Sequence, residues 1–312
     1  MGTLLIVLTY FAYVFIVAVY AFKIVKWMKM PMHIRWDLYP VIHEEQYRYG
    51  GSYYEKQEWW TRSRPKNTGR SLWYSLKDNF YMGEYFKRNR LYWLFLLPWH
   101  LGFIFIIGFH ILCFFAAIAM VGGITVSAVS PQVAGRIFYY ILLATGGIAF
   151  IGGTFGCIGM PIIKLADRGL RTYAMPMNFF NYIFFLIVYA SGLVSWLLFD
   201  PTLAEYRAYW VGLVTLTPPD LHPLTIFHII LFDIFLIYLP FTRSTHYITR
   251  ILAYFFIRWD DEPNLPGSRM EKQINSLLQQ KLSWEGAHIT KGSSWAEAAA
   301  SSGLPETKKD KV

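Results

Sequence analysis

The chain contains five long runs of apolar residues, separated by connections that are rich in polar and aromatic residues. The runs cover approximately residues 4–25, 91–120, 137–163, 179–199 and 224–248. A helix needs about 20 apolar residues to cross the ~30 Å hydrocarbon layer of a membrane. Each run reaches that length, so the pattern predicts an all-α integral membrane protein with five transmembrane helices.

The first run has the features of a spanning helix rather than of a cleaved signal. It lacks the basic leading segment and the small-residue cleavage site of a secretory signal peptide, and its apolar core is too long for one. We therefore expect residues 1–26 to form a retained membrane anchor.

Composition excludes a soluble globular protein. Of the 312 residues, 55% are hydrophobic and only 16% are charged, and the mean hydropathy is +0.32. An ordinary soluble domain has about 25% charged residues, so a soluble fold could not cover this much apolar surface. The two cysteines, Cys113 and Cys157, lie in apolar runs and form no CxxC or CxxCH motif. Cysteine-ligated zinc or iron–sulfur sites and c-type haem attachment are therefore excluded.

Lysine and arginine are distributed unevenly among the connections, and this asymmetry predicts the orientation. Basic residues are concentrated in three segments, 23–90, 164–171 and 250–272. The connection at 121–135 has none, and the one at 200–223 has only Arg207. Because cytoplasmic connections are enriched in Lys and Arg, we expect the N-terminus outside and the C-terminus in the cytoplasm. Anionic lipid and a protein partner then account for the net charge of +9, and nothing indicates nucleic-acid binding.

These boundaries divide the chain into four segments. They are the first helix (1–26), a cytoplasmic loop (27–90), a core with helices two to five (91–250) and a cytoplasmic tail (251–312). The loop is rich in Trp and Tyr, which is typical of a protein interface, with contact to lipid headgroups as the alternative. In the tail we expect a short helix at 269–283, partner contacts at Trp284 and Trp295, and disorder at 301–312.

Four of the eight histidines lie within the predicted spans: His100 and His110 in the second, His228 and His246 in the fifth. Ionisable residues are costly inside a bilayer, so each is a candidate functional residue. For any one of them alone a structural hydrogen-bonding role is the alternative, and it is the set of four, divided evenly over two helices, that favours function. The two spans run in opposite directions, which sets His100 level with His246 near the cytoplasmic face. By the same argument His110 lies level with His228 near the outer face. Two stacked bis-histidine sites are the ligand set that two b-type haems require.

The two histidines of the second span are not as far apart along the helix as those of the fifth. Ten residues separate the first two, about 15 Å of helix, and eighteen residues separate the other two, about 27 Å. The difference leaves about 6 Å to absorb at each end. We expect helix tilt and kinks at Pro98 and Pro240 to absorb it. A zinc or di-iron site would need nearby carboxylates or cysteines, and Asp233 is the only acid close by. We expect Asp233 to make a structural hydrogen bond to a neighbouring helix, with a hydrogen bond to a haem-side group or a part in proton transfer as the alternatives.

Two further features have both a haem-related and a plain structural interpretation. Arg90 and Arg243 lie near the predicted cytoplasmic pair and are candidates to bind haem propionates; as positive-inside anchors they need no such role. The third span is rich in glycine, which permits either close approach of a macrocycle or close helix packing. Its glycines are Gly146, Gly147, Gly152, Gly153, Gly156 and Gly159.

The histidine spacing resembles that of a known family. The pattern His100-x9-His110 with His228-x17-His246, in a five-span frame with the N-terminus outside, resembles the gamma subunit of respiratory nitrate reductase over residues 85–250. That resemblance implies two b haems, ligated by these four histidines in the crossed pairing, and oxidation of quinol on the outer side.

The first cytoplasmic loop resembles a narrower group, the DsrM-type cytochromes of the DsrMKJOP complex and its Hme and Tmc relatives. The similar residues are MHIRWDLYPVIHE at 32–44, YGGSY at 49–53 and the pair Trp59 and Trp60. The resemblance implies a cytoplasmic iron–sulfur partner of the heterodisulfide-reductase type and menaquinone as the lipid substrate. Further implied partners are an outer-side cytochrome c and other membrane subunits, in a prokaryotic cytoplasmic membrane.

The resemblance and the spans together predict a menaquinol-oxidising electron relay. Menaquinol would bind beside the outer haem, and electrons would pass through the inner haem to the iron–sulfur partner. Residues at the outer ends of the spans are candidates for the quinol site: Arg136, Asp220 and His222. An ordinary surface turn is the alternative for the last two.

Three other functions remain open from the sequence. The first alternative is a haem-free membrane anchor for a soluble redox partner. The second is the same electron relay run in reverse, as a menaquinone reductase. A small transporter is disfavoured, because the sequence has no internal repeat or pair of broken helices.

Overall fold

The computed structural model describes residues 2–28, 57–58, 68–248, 266–286 and 289–300. The chain divides into two compact units. The first comprises Met1–Ala21 and Leu72–Thr245, and the second comprises Phe22–Ser71 and His246–Val312. Within the described ranges the regular structure is helical, apart from two isolated β-bridges near the C-terminus.

Five helices of the described part are long and apolar enough to cross a membrane. The candidate spans are Gly2–Trp27, Arg90–Val121, Val133–Ala166, Pro176–Leu198 and Pro223–Phe241. Four of the spans correspond to single helices: α1 (Gly2–Met28), α4 (Arg90–Val121), α8 (Pro176–Leu198) and α10 (Pro223–Tyr238). The third span consists of α5 (Val133–Gly147) and α6 (Gly153–Ala166), which are joined by a π-helical turn at Ile148–Gly152. The predicted all-α architecture and the transmembrane character of the chain are confirmed.

The fifth span is shorter than predicted. Residues 224–248 were expected to form one span with a kink at Pro240, but α10 ends at Tyr238 and is followed by two 3₁₀ turns, Leu239–Phe241 and Arg243–Thr245. Pro240 has no N–H to donate, and its ring clashes with the carbonyl four residues earlier. His246 therefore lies beyond the fifth candidate span, where residues 246–248 are helical again. The spacing of about 27 Å that a continuous helix from His228 would give does not apply.

Short helices connect the spans. They are α2 (Thr68–Tyr81), α3 (Gly83–Arg88), α7 (Arg168–Thr172) and α9 (Ala204–Thr215). Helix α9 begins at the side chain of Asp200, whose carboxylate accepts from the backbone N–H groups of Ala204 and Tyr206 at 2.6 and 2.9 Å. Asp200 is only 6% exposed, and this burial raises the pKa of its carboxyl group despite those hydrogen bonds.

Glycines bring α4 against α6. A Cβ atom on Gly102 would lie 2.6 Å from the backbone of Gly153, and one on Gly156 would lie 2.4 Å from Trp99. Small residues at such contacts let two membrane helices approach closely. For Gly153 and Gly156, the helix-packing interpretation of the glycine-rich third span is therefore the one that the structure supports.

The described C-terminal part of the second unit contains α11 (Arg269–Leu278) and α12 (Trp295–Ala300). Helix α11 is shorter than the predicted 269–283. Ser268 and Ser294 cap the two helices by accepting from the N–H groups of Glu271 and Glu297, as a helix start in solvent requires. The rings of Trp284 and Trp295 are 6.5 Å apart.

Several predictions fall outside the described residues. These include the loop motif at 32–44 and 49–53, Trp59, Trp60 and the segment 301–312.

Candidate functional site

His110 lies about two thirds of the way along α4 and is 3% exposed. Its Nδ1 is 2.6 Å from the carbonyl oxygen of Ile106, one helical turn earlier. Since a carbonyl can only accept, Nδ1 bears the proton and Nε2 has a free lone pair. Nε2 is 2.8 Å from the hydroxyl of Tyr206, which therefore donates to it. The imidazole stacks on the ring of Phe232 with 3.7 Å between centroids.

His228 lies one turn into α10 and is 2% exposed. Its Nδ1 is 3.1 Å from the hydroxyl of Ser191 in α8, and that hydroxyl donates to the carbonyl oxygen of Val188 at 3.0 Å. With its only hydrogen used, Ser191 accepts from Nδ1–H of His228. Nε2 of His228 is buried and has no hydrogen-bond partner among the described residues. Both histidines thus have the same tautomer, with the Nε2 lone pair unprotonated.

The two histidines share their surroundings. The ring of Tyr206 is 6.2 Å from that of His228, and its hydroxyl group bonds His110. Gly192 is required beside His228, because a Cβ there would lie 2.7 Å from the imidazole Cε1 and 2.5 Å from the ring of Phe150. The predicted outer pair is therefore brought together in one buried aromatic site between α4, α8, α9 and α10.

The donor set of this site suits a bis-imidazole iron. Haem ligation uses a neutral imidazole whose other nitrogen is held by a hydrogen bond, and both residues have that arrangement. The space beside His110 is filled by Phe232 and Tyr206, so these two side chains would have to move for a macrocycle to lie between the histidines. A site built from three or more His, Cys, Asp or Glu side chains is absent from the described ranges.

The two histidines of the predicted inner pair, His100 and His246, belong to different compact units. His100 is half-buried in α4, ten residues and about 15 Å along the helix from His110. His246 follows the 3₁₀ turn Arg243–Thr245 and belongs to the second unit. The pairing of His100 with His246 stays a prediction.

The two arginines predicted to bind propionates both have other contacts. Arg90 begins α4 and lies over the ring of Phe86 at 5.2 Å. The Arg243 Nη2 atom is 3.2 Å from the sulfur of Met175. A role in propionate binding stays a prediction for each.

Of the three residues predicted for a quinol site, Arg136 lies in the first turn of α5, whereas Asp220 and His222 lie between α9 and α10. Arg136 donates to the carbonyl oxygen of Ser130 at 2.5 Å and so closes the turn before α5. Asp220 is exposed. His222 caps α10 by accepting from the N–H of Leu224 at 3.2 Å, and its ring stacks on Phe199 at 3.9 Å. Their role at a quinol site stays a prediction.

Glu205 was not identified from the sequence. Its carboxylate accepts from the backbone N–H of His222 and, at 2.8 Å, from the hydroxyl of Thr225. The Thr225 hydroxyl lies 2.9 Å from that of Ser195. Ser191 and Ser195 are four residues apart in an apolar helix, and that spacing was a usable signal for a polar face on α8. Glu205 and Tyr206, in a connection, had no such signal.

A second buried polar cluster joins α1 to α9 and α10. The hydroxyl of Thr9 donates to Oδ2 of Asp233 at 2.7 Å and also contacts the hydroxyl of Tyr209. Asp233 is 1% exposed, and its Oδ1 has no hydrogen-bond partner in the described part of the chain. Asp233 thus bonds a neighbouring helix, as one of its predicted roles required.

The chain matches no protein-family model, no curated protein sequence and no solved structure.

Proposed function

We propose that the chain is the membrane subunit of a respiratory redox complex, a diheme b-type cytochrome that exchanges electrons between menaquinol and a cytoplasmic iron–sulfur subunit. The observation on which this rests is the arrangement of His110 and His228. Both are buried, and both have Nδ1 held by an acceptor and an unprotonated Nε2. Nε2 of His228 has no partner among the described residues, and Nε2 of His110 would exchange the hydrogen bond from Tyr206 for the iron.

In this proposal His110 and His228 hold the outer haem, and His100 and His246 hold the inner one. Haem supplies one-electron transfer between a two-electron carrier and an iron–sulfur centre. The protein orients the ligands: Ile106 holds the ring of His110, and Ser191 holds the ring of His228. Such partners set ring orientation and ligand basicity.

The distribution of Lys and Arg supports an N-terminus outside the cell and a C-terminus in the cytoplasm. Helix α9 with Arg136, Asp220 and His222 is then on the outer side, where the proposal has menaquinol release its protons. The cytoplasmic loop and tail dock an iron–sulfur subunit of the heterodisulfide-reductase type in a prokaryotic cytoplasmic membrane. An outer cytochrome c and further membrane subunits complete the proposed complex.

A haem-free membrane anchor is the second candidate, and one observation favours it. Phe232 stacks on His110 and Tyr206 donates to its Nε2, so His110 is fully accommodated by protein groups alone. In that case the four histidines have structural roles only.

Haem content separates the two candidates. For the purified full chain we expect a pyridine haemochrome assay to give two b haems, reducible by a menaquinol analogue. His110→Ala and His228→Ala should each lose one haem, whereas the buried Cys157→Ala variant should keep both. Size-exclusion profiles of all three verify folding. A wild-type chain without haem, or both histidine variants with two haems, would contradict the proposal.

A further inference from the structure

A large apolar cavity lies on the side of His110 that faces the first helix. Its volume is about 620 Å³, and it is bounded by α1, α4, α9 and α10 of the first unit. Its lining residues include Thr9, Tyr13, His110, Ile111, Trp210 and Phe232. Ligand sites in proteins are typically 300–1,000 Å³, so this chamber has the capacity for a small ring system and part of a hydrocarbon tail.

Two hydrogen-bond donors on the chamber wall lack a well-aligned acceptor. The hydroxyl of Tyr13 and the indole Nε1 of Trp210 are both buried, and neither makes a hydrogen bond of good geometry among the described residues. The indole of Trp210 lies near the hydroxyl of Tyr206, whereas the Tyr13 hydroxyl has no such neighbour among them. Trp210 as a whole is 5% exposed, and its ring meets that of Tyr13 edge to face at 5.9 Å. Buried donors without partners are unfavourable, so a ligand that brings acceptor oxygens would satisfy both.

Thr9 connects the chamber to buried polar groups of the protein. It lines the chamber, its hydroxyl donates to Asp233, and the hydroxyl of Tyr209 also contacts it. A hydroxyl group bound in the chamber would therefore lie next to a chain of exchangeable hydrogens that ends at a buried carboxyl group.

The chemistry of the wall restricts the ligand class. The chamber is lined by aromatic and aliphatic side chains, with no Lys, Arg, Asp or Glu among its described lining residues. A phospholipid headgroup would bring a phosphate into surroundings without a cation, which is costly. A flat, uncharged ring with oxygen acceptors and an apolar tail meets both requirements.

We propose that this chamber binds the head group of an isoprenoid quinone, with its ring oxygens accepting from Tyr13 and Trp210. The inference rests on the proposed function and deepens it. It locates the lipid substrate between α1 and α4, beside the ring of His110, rather than at the turn that contains Asp220 and His222.

Binding is tested with menaquinone-2 on the full chain in phosphatidylcholine nanodiscs. Ile111 lines the chamber and is 52% exposed, and Ile137 on α5 is 53% exposed and does not line it. Ile111→Trp should fill the chamber and weaken binding at least tenfold, whereas Ile137→Trp should bind like wild type. Tyr13→Phe removes one donor and should weaken binding three- to tenfold, with Tyr140→Phe on α5 as its control.

The outcomes are distinct. Binding that Ile111→Trp and Ile137→Trp lower equally, or a wild-type chain that retains phospholipid but no menaquinone-2, overturns the chamber assignment. Haem is assayed on the same samples. Haem without quinone binding overturns only this inference, whereas chamber-dependent quinone binding without haem supports it and overturns the proposed relay.

Discussion

Ser191 and Ile106 determine the protonation pattern of the two buried histidines. Each provides an acceptor for Nδ1, so the proton is on Nδ1 and the lone pair is on Nε2 of both rings. A lone buried histidine is ordinary core chemistry, whereas two histidines with the same tautomer in one aromatic site are the observation on which the proposed iron site rests. Nε2 of His228 has no partner among the described residues, and Nε2 of His110 accepts from Tyr206.

Asp200 is the residue at which a stability effect is best isolated. Asp200→Ala removes both bonds that cap α9 and should destabilise the protein by about 1–2 kcal/mol, whereas Asp200→Asn keeps one accepting oxygen, retains one of the two bonds and should cost less. Thermal unfolding of the two purified variants measures the difference. Equal melting temperatures for both variants would show that the retained bond contributes nothing.

A comparison of wild type with Asp200→Asn reports on the titration of Asp200. Its pKa is raised by burial, so the folded state binds this proton more readily than the unfolded state. Stability should therefore fall as pH rises from the unfolded pKa, about 3.9, through the folded one. Relative to Asp200→Asn, wild type should gain stability as the pH is lowered through that window. An unchanged difference across the window would argue against the raised pKa.

At the scale of the helix, close contact of backbones decides where a side chain is tolerated. A Cβ on Gly102 of α4 would meet the backbone of Gly153 at 2.6 Å, whereas one on Gly108 of the same helix has nothing within 4 Å. Gly102→Ala should force α4 and α6 apart and cost about 1–3 kcal/mol.

Gly108→Ala is the matched control and should leave stability unchanged or raise it by about 0.5–1 kcal/mol, because alanine favours a helix. Intrinsic fluorescence during thermal unfolding compares the two. A Gly108→Ala variant as unstable as Gly102→Ala would mean that the helix, and not the contact with Gly153, is sensitive to the change.

At the scale of the whole molecule, the proposed orientation can be tested with single cysteines. Val129 and Tyr173 lie in connections on opposite ends of the spans and are 90% and 84% exposed, while both native cysteines are buried. A membrane-impermeant maleimide should label Val129→Cys in intact cells. It should label Tyr173→Cys only after permeabilisation. The reverse pattern would invert the proposed orientation.

The spans were predictable because a membrane helix is a local property. About 20 apolar residues suffice to define it, whatever they pack against, and the structure confirms the five runs. The end of the fifth helix was also readable at Pro240, although the prediction extended the helix to residue 248. A proline breaks the helix by its own geometry, so the predicted position of His246 within the fifth span was wrong, and its pairing with His100 stays a prediction.

The surroundings of the histidines were not predictable, since they depend on contacts between distant parts of the chain. Tyr206 lies 96 residues from His110, and Thr9 lies 224 residues from Asp233. The sequence by itself determined the membrane class, the five candidate spans of the described residues and the placement of His100, His110 and His228 within them, because hydrocarbon excludes charge over a fixed thickness. Only the tertiary structure decided which histidines meet, which of their nitrogens is available, and where a cavity remains beside them, because these follow from how helices pack.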